Sequence, residues 1–224
     1  MSGTGRRRAF VVVVLVALTL GTVRSATAGP GAPTAAELLA RLGTCAQVSH
    51  GLFATDDGGP ATVPVCARDG VVSWRADLDV DCDGRPGSAC NRRTDPWFQD
   101  DTAFHRADGA PLDAETLPYV VIPQNSPVFA YSRHGIAGGD VVAVVYRGRV
   151  VYAVFGDTGP PGIVGEASYA TARALGIDPD PRTGGADAGV TYLVFPGVRV
   201  SPVDSHARAV RLGTAATRAF LERR

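Results

Sequence analysis

The clearest hydrophobic pattern in the chain lies at 71–83, VVSWRADLDVDCD. Val72, Trp74, Ala76, Leu78, Val80 and Cys82 alternate there with Ser73, Arg75, Asp77, Asp79, Asp81 and Asp83. A period of two predicts a half-buried strand, one face in the core and the other in solvent. The polar face then carries a row of aspartates about 7 Å apart, twice the rise per residue. Further on, 140–146 and 150–155 are apolar almost throughout, so both faces of these strands are expected to be buried. Arg147-Gly148 between them suits a tight hairpin. Residues 118–123 and 190–195 read as further strands, 128–131 and 198–200 as weaker ones. Residues 37–42 predict a short helix stopped by Gly43, and 203–223 a helical tail broken at Gly213. These elements sum to a mainly β protein. Its expected core is a barrel of about six strands, decorated by short helices and an N-terminal disulfide-bearing extension.

The strand at 150–155 runs into a stiff turn, Asp157-Thr158-Gly159-Pro160-Pro161, followed by Gly162, Gly165 and Glu166. A small-residue helix is expected to open at Glu166 and to stop at Gly176. Asp157 and Glu166 thus flank one rigid turn. Hydrolysis of a glycosidic bond needs two such carboxyl groups, one to protonate the leaving oxygen and one to activate water or attack the sugar. The same residues also suit a turn cap and a favourable charge on a helix dipole.

The aspartate row has three readings. Asp79-x-Asp81-x-Asp83-Gly84 matches the opening of a calcium loop, but the closing glutamate is missing, since the twelfth position falls on Cys90. The row could bind a polycationic substrate through its ammonium groups. It could also be a solvated face near Arg75, Arg85, Arg92 and Arg93. Trp97, in the polar loop 91–104, is either a sugar-stacking platform or a core anchor.

The N-terminus sets the compartment. Arg6, Arg7 and Arg8 precede a short apolar run and the triplet Ala26-Thr27-Ala28, the pattern of a secretory signal peptide over 1–28. The run is shorter than the roughly 20 residues a spanning helix needs. Residues 29–36 read as a flexible linker and 37–224 as a single catalytic domain. Removing the four arginines of the signal leaves 18 basic against 22 acidic residues, a net −4, which disfavours nucleic-acid binding. In an exported chain the four cysteines predict disulfides, and the nearest-in-sequence pairing gives Cys45–Cys66 and Cys82–Cys90. No C-x-x-C zinc pattern, phosphate loop or dinucleotide fingerprint occurs. Asp204-Ser205-His206 holds triad residue types without the separated segments a triad needs, and reads as a helix start.

YVVIP (119–123), GDVVAVVYRGRVVYAVFGDTGP (139–160), IVGEAS (163–168), LGI (175–177) and GVTYLVFPG (189–197) resemble the glycoside hydrolase family 75 chitosanases. DLDVDCDG (77–84), DPWFQDDTAF (95–104) and LDAETLPYVV (112–121) do so too, in the same order. The resemblance implies a secreted, endo-acting, inverting chitosanase, with the essential carboxylates on Asp157 and Glu166. Looser similarity to double-psi β-barrels implies a six-stranded barrel of that kind. Inversion would set the two carboxyl groups roughly 6.5–9.5 Å apart. Burial at the end of an apolar strand suggests Asp157 as the acid, and the helix field suggests Glu166 as the base. A chitosan substrate gives Asp77, Asp79 and Asp81 a role as ammonium subsites beside Trp97. No cofactor is expected, calcium at Asp79, Asp81 and Asp83 being the lesser option, and a monomer is expected. Two other readings remain: a non-catalytic polysaccharide-binding barrel of the expansin type, and a peptidoglycan-cleaving barrel enzyme needing only Asp157.

Overall fold

A computed structural model describes residues 31–223. The expected signal peptide, its cleavage point and the first two linker residues lie outside them. In chain order the strands are β1 (Cys66–Arg68), β2 (Val71–Asp81), β3 (Tyr119–Pro123), β4 (Asp140–Tyr146), β5 (Arg149–Gly159), β6 (Glu166–Ser168) and β7 (Ala186–Arg199). The helices are α1 (Ala35–Leu42), α2 (Tyr169–Leu175) and α3 (His206–Glu222).

Six strands close into a barrel in the order β2-β6-β3-β5-β4-β7, with β7 pairing back onto β2. β2–β6 and β3–β5 are parallel, and the other ring pairs are antiparallel. β1 adds to the start of β2 outside the ring. Alternate residues feed two cores, as strand geometry requires. Trp74, Leu78, Val120, Ile122, Val144, Phe155 and Tyr192 fill the barrel. Val121, Val141, Val145, Val154, Leu193 and Phe195 point outward, where Ala209 and Phe220 of α3 help to cover them. The apolar runs of β4 and β5 are therefore buried on both faces.

Local differences from the sequence reading have local causes. α1 starts two residues early because Thr34 and Glu37 form a capping box, with Glu37 N–H donating to Thr34 Oγ1 at 3.2 Å and Thr34 N–H to Glu37 Oε2 at 2.8 Å. Residues 128–131 form no strand, and a 3₁₀ turn follows at Tyr131–His134. The expected strand at 198–200 is the end of a long β7. α3 passes unbroken through Gly213, which sits on its buried face with Ala209, Thr217 and Phe220. A Cβ at Gly213 would overlap the Tyr152 ring, so this glycine serves close approach, not a break. The disulfides Cys45–Cys66 and Cys82–Cys90 are both present.

Candidate active site

The aspartate row is not a solvated face. Asp77 and Asp81 are each 5% exposed, while Asp79 is exposed between them. β6 runs parallel to the end of β2 and sets Asp79 beside Glu166 and Asp81 beside Ser168, while Asp77 packs against Gly165 just before β6. Past β2, the Cys82–Cys90 bridge folds the chain back over the sheet, and Gln99 N–H donates to Asp83 Oδ1 at 2.6 Å. Asp81 Oδ1 accepts the Asp83 N–H at 2.6 Å.

Glu166 does not open a helix. It begins β6, and α2 starts only at Tyr169, capped by Ser168. Ala167 enters the barrel core, so Glu166 and Ser168 take the outer face. Ser168 Oγ donates to Leu117 O at 2.9 Å and accepts from Tyr119 N–H at 3.0 Å and Thr171 N–H at 3.3 Å. This fully buried hydroxyl fixes the strand that carries Glu166.

Asp157 reaches the same face through an irregularity. Val120 pairs with Phe155, but Val121 pairs with Asp157, so Gly156 is an extra residue in β5. Phe155 lies inside the barrel. Strict alternation would send Asp157 inside as well, and the one-residue bulge turns it to the outer face with Val121. Only glycine fits the bulge, since a Cβ there would lie 2.6 Å from Tyr119 Cβ and 2.8 Å from Leu112 Cδ1. Asp157 Oδ1 accepts the N–H groups of Ala103 at 2.8 Å and Thr158 at 2.7 Å. Asp157 is thus a strand residue at a bulge and not the first residue of the stiff turn expected after residue 155.

The two acids meet in a cleft of about 600 Å³, lined also by Asp79, Asp81, Asp83, Asp95, Trp97, Gln124, Asp180 and Arg182. Gly159 forms the wall beside Glu166. Burial, then the charges of Asp83, Asp157, Asp79 and Asp95, push the Glu166 carboxyl up to about 8. Burial raises Asp81 well above the usual carboxylate range, helped most among the charges by Glu166. Burial raises Asp83 to about 6. Asp157 is also raised by burial, but its two main-chain N–H donors oppose the shift by favouring the charged form.

Of the residues singled out by sequence, the cleft gathers Asp157, Glu166, Asp79, Asp81 and Trp97, while Asp77 lies behind its wall. Trp97 is 85% exposed, which removes the core-anchor reading. Asp95 and the Ala103 N–H were not singled out, and Asp83 was considered only as part of the aspartate row and as a calcium ligand. Asp95 places Trp97 by accepting its N–H at 2.8 Å, an i to i+2 bond that an Asp before Pro-Trp could have signalled. Asp79, Asp81 and Asp83 do not converge as a calcium loop would. Among the described residues, the acids close enough to share one cation are Asp56, Asp77 and Asp79.

A closed β-barrel with paired, partly desolvated carboxyls in an acid-lined cleft has the equipment of a polysaccharide hydrolase. The model of "Fungal chitosanase of glycosyl hydrolase group 75" matches residues 78–220, and the chain belongs to that family. It is 37% identical over 133 residues to Endo-chitosanase B of Aspergillus oryzae (strain ATCC 42149 / RIB 40), covering 56% of this chain and 55% of that protein. It is 39% identical over 101 residues to an Endo-chitosanase of Aspergillus fumigatus, covering 42% of each chain. The chain thus spans about half the length of these relatives. Streptomyces papain inhibitor (SPI) aligns with 54% of this chain at a TM-score of 0.32 and 19% identity, values that carry no functional weight.

Proposed function

We propose that this protein is a secreted endo-chitosanase that hydrolyses β-1,4-glucosaminidic bonds of chitosan with inversion. The observation that carries the reading is the convergence of Asp157 and Glu166, from two different strands, in a cleft whose other ionisable lining is five aspartates and one arginine. Such a cleft attracts a polycation and disfavours an anionic chain. Family membership and the names of the similar proteins point the same way. The disulfides suit an exported protein.

Glu166 is the general acid. Its raised pKa keeps the proton in place at neutral pH, ready for the leaving oxygen. Asp157 is the base. Its Oδ1 is held by two N–H groups, which favour the ionised form and leave Oδ2 to activate a water. These roles exchange the ones expected from sequence, because Glu166 sits on a strand and not in the field of a helix N-terminus. Asp83 pairs with substrate ammonium groups, and Trp97 stacks on a sugar ring.

Reducing-end release from soluble chitosan, beside chitin, cellulose and peptidoglycan, tests the proposal. Wild type should release ends from chitosan alone, and Glu166→Gln and Asp157→Asn should each lose about 10³-fold or more in kcat. On a substrate with an activated leaving group, Glu166→Gln should recover much of its rate and Asp157→Asn should not. NMR of the nascent product should show the α-anomer first. Equal rates for the variants would remove the enzyme reading, and a β-anomer would remove inversion.

A further inference from the structure

We propose that Asp56, Asp77 and Asp79 form a calcium site that ties the loop around Asp56 to β2, beside the cleft. One carboxylate oxygen from each residue lies within 4.8 Å of the other two. Two oxygens bound to one calcium ion at 2.3–2.6 Å can be up to about 5 Å apart, so the three fit a shared ion. Proximity of acids alone is not a site. The second observation is Asp77, which brings a carboxylate oxygen to this cluster although the residue is only 5% exposed. Its Oδ1 is buried without a hydrogen-bond partner. It packs where a Cβ on Gly165 would overlap it, so the chain keeps a glycine in a left-handed conformation (φ 116°) to make room for this oxygen. A buried carboxylate held against backbone, with an oxygen unfilled, calls for a ligand.

The charges say what kind. Among the described residues, no ion pair involves Asp56, Asp77 or Asp79. Asp187 adds further negative charge at Asp77. An all-oxygen, anionic donor set selects a hard cation over zinc, which prefers nitrogen and sulfur. Magnesium holds its own waters more tightly and demands a closer octahedron. A substrate ammonium is a poorer occupant, because Asp56 and Asp77 do not line the cleft. These ligands differ from the Asp79-x-Asp81-x-Asp83 loop considered from sequence. Asp56 is on a segment already stitched to the Gly165 turn: Ala54 N–H donates to Gly162 O at 3.0 Å and Val164 N–H to Ala54 O at 3.1 Å. Asp79 N–H donates to Gly165 O at 2.7 Å. An ion there would clamp β2 to the turn immediately before Glu166.

The test uses the full chain, EDTA-treated and dialysed, with calcium chloride as the only ligand, so it does not depend on chitosan hydrolysis. Calorimetric titration should show one ion per chain. The melting temperature in ~10 mM calcium should exceed that in EDTA by roughly 5 °C, as for an extracellular site of sub-millimolar affinity. Asp56→Asn, exposed and outside the cleft, should melt like wild type in EDTA and lose the calcium shift. Asp77→Asn should melt at or above wild type in EDTA, having lost a repelled buried acid, and should also lose the shift. Absence of both heat and shift in wild type, or a full shift in Asp56→Asn, would overturn the site. An equal shift with magnesium would overturn the choice of calcium.

Discussion

At the scale of single residues, the placement of the paired acids depends on Gly156. The bulge it makes in β5 turns Asp157 from the barrel interior to the cleft. Gly156→Ala would press a methyl group on Tyr119 and Leu112. The strain expected from such overpacking is about 1–3 kcal/mol, enough to lower the melting temperature without unfolding the protein. The chemical cost should be larger than the stability cost, because a displacement near 1 Å at a reacting group can cost about 10²-fold. Chitosanase assays beside thermal melts check this, and a variant that loses stability but keeps kcat would show that Asp157 is not placed by the bulge. Asp83 tests the electrostatics of the other acid. After burial, its charge is the largest cause of the raised Glu166 pKa. Asp83→Asn keeps an oxygen for the Gln99 N–H and removes the charge. The Glu166 pKa should fall from its raised value of about 8, and the alkaline limb of kcat/KM that it is expected to set should move to lower pH. An unmoved limb would detach Glu166 from the acid role.

At the scale of elements, the decisive piece is β6, three residues long. The alternation in β2 was readable because eleven residues give several turns of a two-residue period. Whether its polar face met water was not readable, since that depends on which strand lies alongside. Glu166-Ala167-Ser168 is too short for a period of its own, and the small residues after it made Glu166 look like a helix start. The Gly156 bulge likewise leaves no periodic trace, although the two acids themselves stood out by type and by their stiff Gly/Pro surroundings. The disulfides were legible because short loops close most easily. The Asp56–Asp77 proximity was not, since a 20-residue excursion through β1 separates them in the chain. Ser168 shows how a short strand is kept in register. Ser168→Ala would leave the buried Tyr119 N–H, and the capping bond to Thr171, without their oxygen. A loss of about 1–3 kcal/mol is expected in denaturant titration. kcat should fall with it, because Glu166 is two residues away on the same strand. Unchanged stability would mean that water takes over the hydroxyl's bonds.

At the scale of the molecule, the cleft and the packing beside it put several carboxyls where water screens them poorly, and folding therefore depends on pH. Asp83 is raised to about 6, Asp77 to about 7 and Glu166 to about 8, each first by burial; burial also raises Asp81 well above the usual carboxylate range, and Asp79 and Asp157 move up too. In the unfolded chain these groups titrate near 4. From about pH 4 up to their folded values, the folded protein keeps protons that the unfolded chain has lost. Linkage then makes stability fall as pH rises through that window. The opposing carboxyls, Glu37 and Asp101, are lowered but lie on the surface, so their loss at acid pH weighs little. In EDTA, which keeps cations from compensating the acids, the melting temperature should fall by several degrees from pH 5 to pH 8. Asp81→Asn isolates one contributor. The amide keeps an oxygen for the Asp83 N–H, carries no charge at any pH, and fills the same space. Its melting curve should change less with pH than that of wild type, and should lie above it at pH 8. A wild-type melting temperature that climbs from pH 5 to pH 8 would mean that the cleft acids are ionised and compensated throughout. In that case the proton expected on Glu166 at neutral pH would not be there to protonate a leaving oxygen.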